Sequence, residues 1–482
     1  MIRGGVMKGN NIVKPSLTVL DSGKIKQVNE YSLQILATTG VRVDSADARQ
    51  LFARAIGLKA VDGDRVRIPS KLIEWALQVA PSSVDVYDRN GSFVFSLPDR
   101  ARFGIGVTDL YFQDPQTDRV APFNRQHMVS SVRLGDALSS FDAISTIGII
   151  QDVAPEASDL YATLEMTANT TKPLIILVSD ESAFPAVLDL LEHLHGDLTA
   201  RPSIIPYFNP ITPLVINTDT VNKMMVTIER GLPFIYSNYG MAGASVPITP
   251  AGALAVLNAE LLAGLTLGQL IREGTAMILG TLPAYFDMTE STSFYDPKSY
   301  LMDLACAEMM AHYRLPHAGT SGSGQGWGAD LIASGHQWHN HLISCMGKVG
   351  LVPFVGDNLS SLVFSPKIIV YADEIIRKAR LFADGFVLDD VAVGLDEIAD
   401  VGPGGHFLMS DQTFKLCREA YFSSALFDRL SLDKWQAQGC PRAQDRLKDY
   451  TRHLMAECKP PENYSDLIKK GDAFISRFLA RR

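Results

Sequence analysis

Between residues 103 and 383, short apolar runs alternate with longer stretches whose apolar positions recur at helical spacing. The runs are Phe103–Phe112, Ala143–Ile150, Leu174–Val178, Ile204–Phe208, Phe234–Tyr239, Ala276–Leu282, Leu315–Thr320 and Leu351–Val355. In the same order, each precedes one of Asn124–Ser139, Pro155–Asn169, Ser182–His195, Thr218–Arg230, Pro250–Arg272, Pro297–Tyr313, Trp327–Val349 and Pro366–Ala383. A short apolar run followed by an amphipathic stretch predicts a strand and its crossover helix. Right-handed crossovers make such strands parallel. Eight units in roughly 280 residues suit a closed barrel better than an open sheet. The predicted class is therefore α/β, a (β/α)8 TIM barrel over residues 101–384.

The flanks carry a different rhythm. Residues 1–100 read as a mainly helical cap, with helices over Lys24–Thr38 and Ser70–Val79 and a hairpin across Arg89-Asn90-Gly91. Residues 385–482 read as a helical extension with a break at Pro460-Pro461, serving as a cap or an oligomer contact.

Composition narrows the class. Hydrophobic residues make up 46% and charged residues 20% of 482, the balance of a globular chain. A net charge of −9 argues against nucleic acid as partner, because phosphate binding needs a basic face. The five cysteines form no C-x-x-C pair, and scattered thiols fit a reducing compartment. The first residues lack the apolar core of a signal peptide, so a cytoplasmic location is expected. Gly252–Ile271 is apolar but interrupted by Asn258, Glu260 and Gln269, which suits a buried helix rather than a membrane span.

Barrels of this kind place their chemistry at the C-terminal ends of the strands. That rule selects Tyr111, Phe112 and Gln113; Tyr207, Phe208 and Asn209; Tyr236, Asn238 and Tyr239; Tyr285, Phe286 and Asp287; Thr320 to Trp327; and Gly356, Asp357 and Asn358. Rings and amides dominate, and the carboxylates are few: Asp152, Asp287 and Asp357. Ring faces attract a cation, and a quaternary ammonium has no N–H to offer anything else. The alternative for each ring is plain packing of a barrel end. His336, His339 and His341 leave three readings open: zinc ligation, a role in holding a substrate carboxylate, or structural packing. Ser321-Gly322-Ser323-Gly324-Gln325-Gly326 matches neither a phosphate loop nor a dinucleotide fingerprint. Its glycines suit close approach of a large planar partner, or simply a flexible loop.

Several stretches together resemble the trimethylamine:corrinoid methyltransferase family. They are Tyr31–Leu36 with Thr39-Gly40-Val41; Val61-Asp62-Gly63 with Val66–Pro69 and Ala80-Pro81; Ala242–Thr249 with Gly252-Ala253-Leu254 and Asn258–Gly264; Phe286-Asp287-Met288; and Gly402–Leu408 with Thr413 and Trp435. The resemblance spans essentially the whole chain and implies a (β/α)8 barrel. It also implies methyl transfer to the Co(I) of a corrinoid, cob(I)alamin, held on a separate cognate corrinoid protein. Archaeal trimethylamine enzymes of the family carry pyrrolysine near the seventh strand. Here that region, Gly322 to Ala329, is ordinary. The chain is therefore similar to the non-pyrrolysine branch, and glycine betaine is the expected methyl donor, with proline betaine and carnitine as other possibilities.

Under that reading Tyr111, Tyr207, Phe208, Tyr236 and Trp327 cage the ammonium. Asn209, Asn238, His336, His339 or His341 hold a substrate carboxylate. Ser321, Gly322, Gly324, Gln325, Gly326, Asp357 and Asn358 face the corrinoid. No protein-bound metal, nucleic acid or membrane partner is expected, and a homo-oligomer is. Two other classes compete: a non-catalytic betaine-binding protein, and a zinc enzyme built on the histidine cluster.

Overall fold

The strand–helix alternation is realised eight times. The computed structural model describes residues 11–481 except 107, 320 and 323, and only the backbone of 321 and 322. The barrel strands are β1 (Arg102–Ile105), β2 (Ala143–Ser145), β3 (Leu174–Ile176), β4 (Ile204–Phe208), β5 (Phe234–Ala242), β6 (Met277–Asp287), β7 (Ser321–Gly322) and β8 (Leu351–Val355). The helices that follow them are α1 (Arg125–Ala137), α2 (Pro155–Asn169), α3 (Phe184–His195), α4 (Thr218–Glu229), α5 (Pro250–Ile271), α6 (Pro297–Tyr313), α7 (Leu331–Met346) and α8 (Pro366–Asp384). Strands β1 to β6 pair in chain order, and β8 pairs β1 and β7. The seam between β6 and β8 is closed just before β7, where His317 bridges Leu279 and Ala318 bridges Leu351. There the Leu351 N–H donates to the His317 carbonyl at 2.8 Å.

Alternation along each strand sorts the residues into two layers. Ile175, Ile205, Ile235, Ile278, Leu351 and Phe354 share one buried cluster with Val84, Val86, Phe95 and Leu97. The last four belong to the predicted hairpin, Val84–Tyr87 with Phe93–Leu97. Its Tyr87 and Arg89 N–H groups donate to the Pro202 and Thr171 carbonyls, just before β4 and β3. The hairpin therefore plugs the N-terminal end of the barrel, which leaves the C-terminal end for a site. The alternate residues, among them Ile144, Leu174, Ile204 and Phe234, pack outward against helices.

The apolar helix α5 is explained by its neighbours. Helices Ser22–Thr38, Ala46–Ile56 and Ser70–Val79 cover one side of it, and β5 and β6 the other. Among the described residues it is the one helix long and apolar enough to cross a membrane, and 83% of its most apolar window is buried. The Asp21 carboxylate caps the first of the covering helices, accepting the Lys24 N–H at 2.8 Å. Gly40 ends it at φ 73°, where a Cβ would lie 2.4 Å from the Val66 carbonyl oxygen. Beside it Glu308 of α6 accepts the Val19 and Leu20 N–H groups at 2.7 Å each, fastening the N-terminal segment to the barrel. At the other end of the chain, Ala443–Glu457 and Tyr464–Leu479 pack on α8 and α1 and on α2 and α3, respectively.

The first strand is shorter than its apolar run. It stops at Ile105 because Gly106 takes φ 93°, where a Cβ would meet the Ile147 Cα at 2.5 Å. The chain resumes as Tyr111–Gln113 in a separate four-stranded sheet with Val120–Pro122, Val363–Phe364 and Asp357–Asn358. That sheet forms part of the rim of the C-terminal end.

Candidate active site at the barrel mouth

Tyr207 and Phe208 are consecutive on β4, so only one can face the lumen. Tyr207 does. Its ring stands edge-on to Phe354 of β8 with centroids 5.1 Å apart, and its hydroxyl accepts the Asn209 amide at 3.3 Å. Burial raises the phenol's pKa. Tyr239 of β5 packs against the same lumen cluster, and burial raises its pKa as well. Thr108, Leu177, Ser179, Tyr207, Asn209 and Lys223 line an open cleft of about 270 Å³ at the ends of β3 and β4.

The mouth carries buried acid. Asp109 follows β1 and bridges Gly148 beyond the end of β2. It is 0% exposed, and neither carboxylate oxygen has a hydrogen-bond partner among the described residues. Burial first, and then the neighbouring Asp357 carboxylate, push its pKa well above the usual carboxylate range. Asp357 lies two residues beyond β8, the strand adjacent to β1, and is equally buried. The Asn358 amide is 0% exposed and has no partner on either atom among the described residues. From α6, Tyr300 feels Asp357, Asp303 and Asp296 in addition to burial, and its pKa is raised.

The ring cage drawn from the sequence does not assemble. Phe208 packs outward, its centroid 5.8 Å from Phe184 and 5.1 Å from Phe234. Tyr236 also faces the helix layer, against Gly264 of α5. The Asn238 amide donates to the Leu257 carbonyl at 2.9 Å and to Glu260 at 2.7 Å, away from the lumen. Tyr111 sits in the rim sheet, 38% exposed, and Trp327 is 74% exposed. Trp327 is held through its backbone, its carbonyl accepting the Gln113 amide at 3.1 Å. Tyr207 alone of the five rings lines the lumen, joined by Tyr239 and Phe354.

The three histidines do not converge either. On α7, His336 and His339 share a face with Tyr300: the tyrosine hydroxyl lies 3.1 Å from His336 Nδ1, and the His339 ring stands edge-on at 4.9 Å. His341 lies on another face, buried edge-on against Phe103 at 5.3 Å and bonded to Gln337. Zinc ligation by all three is ruled out by this divergence, and among the described residues no group of three metal-binding side chains gathers.

The glycine-rich loop folds down instead of standing open. Gly324 lies buried beneath Asp357 and Gln337. Gly326, at φ 133°, packs on Asp330 and Ala333, and the Gln325 amide donates to the Tyr295 carbonyl at 2.7 Å. Gly324, Gly326, Asp357 and Asn358 are therefore inside the protein, whereas docking of a planar partner needs exposed groups. Gly322 and Ser321 pair with β8 through their backbone. The Ser321 side chain, like Thr320 and Ser323, lies outside the described residues.

Strand ends alone do not select Asp109, Ser237, Phe354 and Lys223. Asp109 lies inside the first apolar run, although Gly104-x-Gly106 marks a backbone break ahead of it. Ser237 and Phe354 follow from strand alternation once the register is known. Lys223 sits on a helix and carries no signal at a strand end.

A closed parallel barrel plugged below and polar at its mouth defines an enzyme that acts on a small molecule. The profile described as "Trimethylamine methyltransferase (MTTB)" matches residues 6–482, and the chain belongs to that family of methyltransferases. It is 25% identical to a trimethylamine methyltransferase of Desulfitobacterium hafniense, covering 96% of this chain and 93% of the relative. It is 24% identical to a glycine betaine methyltransferase of the same species, covering 96% and 97%. The crystal structure of the Methanosarcina barkeri monomethylamine methyltransferase shares the fold, with a TM-score of 0.52 at 10% identity over 92% of this chain and 88% of that one.

Proposed function

We propose that the chain transfers a methyl group from a quaternary amine, glycine betaine foremost, to cob(I)alamin carried on a cognate corrinoid protein. The observation that carries this reading is Asp109, a fully buried carboxylate without a hydrogen-bond partner among the described residues, at the mouth of a methyltransferase barrel. A quaternary ammonium donates no hydrogen bond, so charge and ring faces are what can hold it. Asp109 and Asp357 supply the charge, and Tyr207, Tyr239 and Phe354 the rings. Lys223 is the cation on the wall of the cleft, its ammonium donating to the Val178 carbonyl at 3.0 Å. It and the Asn209 amide suit a substrate carboxylate, which favours betaine over trimethylamine.

The corrinoid supplies a nucleophile for a methyl carbon. The chain's own residues orient the donor so that one methyl points outward. The leaving group is a neutral tertiary amine and needs no proton, so none of the mouth carboxyls has to act as a general acid. Mixing the protein with glycine betaine and cob(I)alamin is expected to bleach the Co(I) absorbance and yield dimethylglycine. Betaine binding without methylcobalamin, for every quaternary amine tried, would identify a binding protein instead. Lys223→Met is expected to raise the KM for betaine about tenfold, and to leave turnover of tetramethylammonium, which has no carboxylate, within about twofold.

We also propose that the chain forms a homo-oligomer. From Leu388 to Ala425 no residue is buried, although Val391, Leu408, Met409 and Phe414 are each at least 77% exposed. The apolar side chains of this arm expose on the order of 1,000 Å², against about 800 Å² per partner in a standard interface. A second copy is the expected cover. Light scattering should give a multiple of 52.7 kDa, and Leu408→Asp with Phe414→Asp should give the protomer. A monomeric parent protein would refute this.

A further inference from the structure

Two carboxylates at the ends of adjacent strands, both cut off from water, cannot both be ionised without a counter-charge. Asp109 receives no hydrogen bond that would stabilise its anion among the described residues, and the charge acting on it is that of Asp357. The unpartnered Asn358 amide beside them is a second buried polar group with nothing described to satisfy it. Such groups persist in a folded protein where an ordered water, an ion or a ligand completes them.

We propose that Asp109 and Asp357 hold one proton between them and release it to solvent when a permanent organic cation binds at the barrel mouth. This rests on the amine reading above and adds to it the means by which the site exchanges charge. Without ligand, the pair is one carboxylic acid and one carboxylate. With ligand, it is two carboxylates and one ammonium; the proton goes to bulk water and no covalent bond to carbon changes. The exchange leaves the site with one net negative charge in both states, swapping a proton for an ammonium. It also sets a preference. A molecule of the same shape without the ammonium charge cannot displace the proton and leaves Asp109 without a partner among the described residues.

The surrounding phenols and His336 do not supply that proton at neutral pH. Tyr300 and Asp303 stand on α6, and burial and acidic neighbours keep the Tyr300 phenol protonated. Burial does the same for Tyr207 and Tyr239 on β4 and β5. His336, behind Tyr300, has its pKa lowered by burial first and then by His339. Lys223 lies across the cleft on α4.

The test is calorimetry of the full chain with tetramethylammonium chloride and with glycine betaine, in buffers of different ionisation enthalpy near pH 7. Release of about one proton per bound cation is expected, with affinity falling about tenfold for each unit that the pH is lowered below neutrality. 3,3-Dimethylbutanoate, the carbon isostere of betaine, should release none and bind at least a hundredfold more weakly. In Asp109→Asn the release should vanish and the pH dependence flatten. Asp357→Asn should do the same and serves if the first variant does not fold. Cation binding with no proton released, or release unchanged in the variants, overturns this proposal and leaves the methyl-transfer reading standing. Absence of binding by either cation overturns both.

Discussion

Gly264→Val is expected to cost the protein roughly 3 kcal/mol or more, and to remove most folded material at physiological temperature. A Cβ at Gly264 would lie 2.1 Å from Tyr236 Cε1 and 2.3 Å from Cζ, inside the van der Waals radius of a rigid ring. The ring is 0% exposed and pinned between β5 and α5, so it has nowhere to turn. The helix cannot retreat, because the N-terminal helices cover its far side. Gly264→Ala should show the same clash at lower cost, and Tyr236→Leu combined with it should recover much of the loss. Additive losses in that double mutant, read from thermal midpoints, would show that the two residues do not meet as described.

Glu260→Ala is expected to be nearly as damaging for a different reason. The Glu260 carboxylate accepts the Leu214 N–H at 2.5 Å, the Asn238 amide at 2.7 Å and the Thr212 hydroxyl at 2.9 Å. Truncation strands three donors in a site 2% exposed, at ~1–3 kcal/mol each, and frees the loop after β4 that carries Asn209. The titration has a definite sign. Burial pushes the carboxyl from 4.5 up to about 7. Between those values the folded chain holds a proton that the unfolded chain has lost. Stability contributed by this group is therefore full below pH 4.5 and declines as pH rises through 7, by roughly 3 kcal/mol in all. Glu260→Gln should flatten the stability–pH curve between pH 5 and 8 relative to the parent. An unchanged slope would place the titration elsewhere.

How much of this was legible in the chain depends on the kind of signal. Leu351–Val355 and Ser70–Val79 were readable to the residue, because apolar runs bounded by Gly, Pro or Ser leave little freedom. The eightfold rhythm was readable for the same reason. The shortened β1 was not, since Val107 and Leu110 to Phe112 prolong its apolar run past Gly106. That one error hid Asp109. The ring cage failed through period 2: Tyr207 and Phe208 are neighbours in sequence and face opposite layers in space. Aromatic residues concentrate at these strand ends, but Phe208 and Tyr236 serve the β–α interface there. The histidines misled likewise, because positions 336, 339 and 341 look adjacent in a string and splay around a helix.

A crystal structure of the protein with glycine betaine bound tests the central claim most directly. The quaternary nitrogen should lie within about 6 Å of the Asp109 and Asp357 carboxylates, with Tyr207 beside it and one methyl directed out of the barrel. Betaine bound away from the mouth, or a mouth too closed to admit it, would contradict the account.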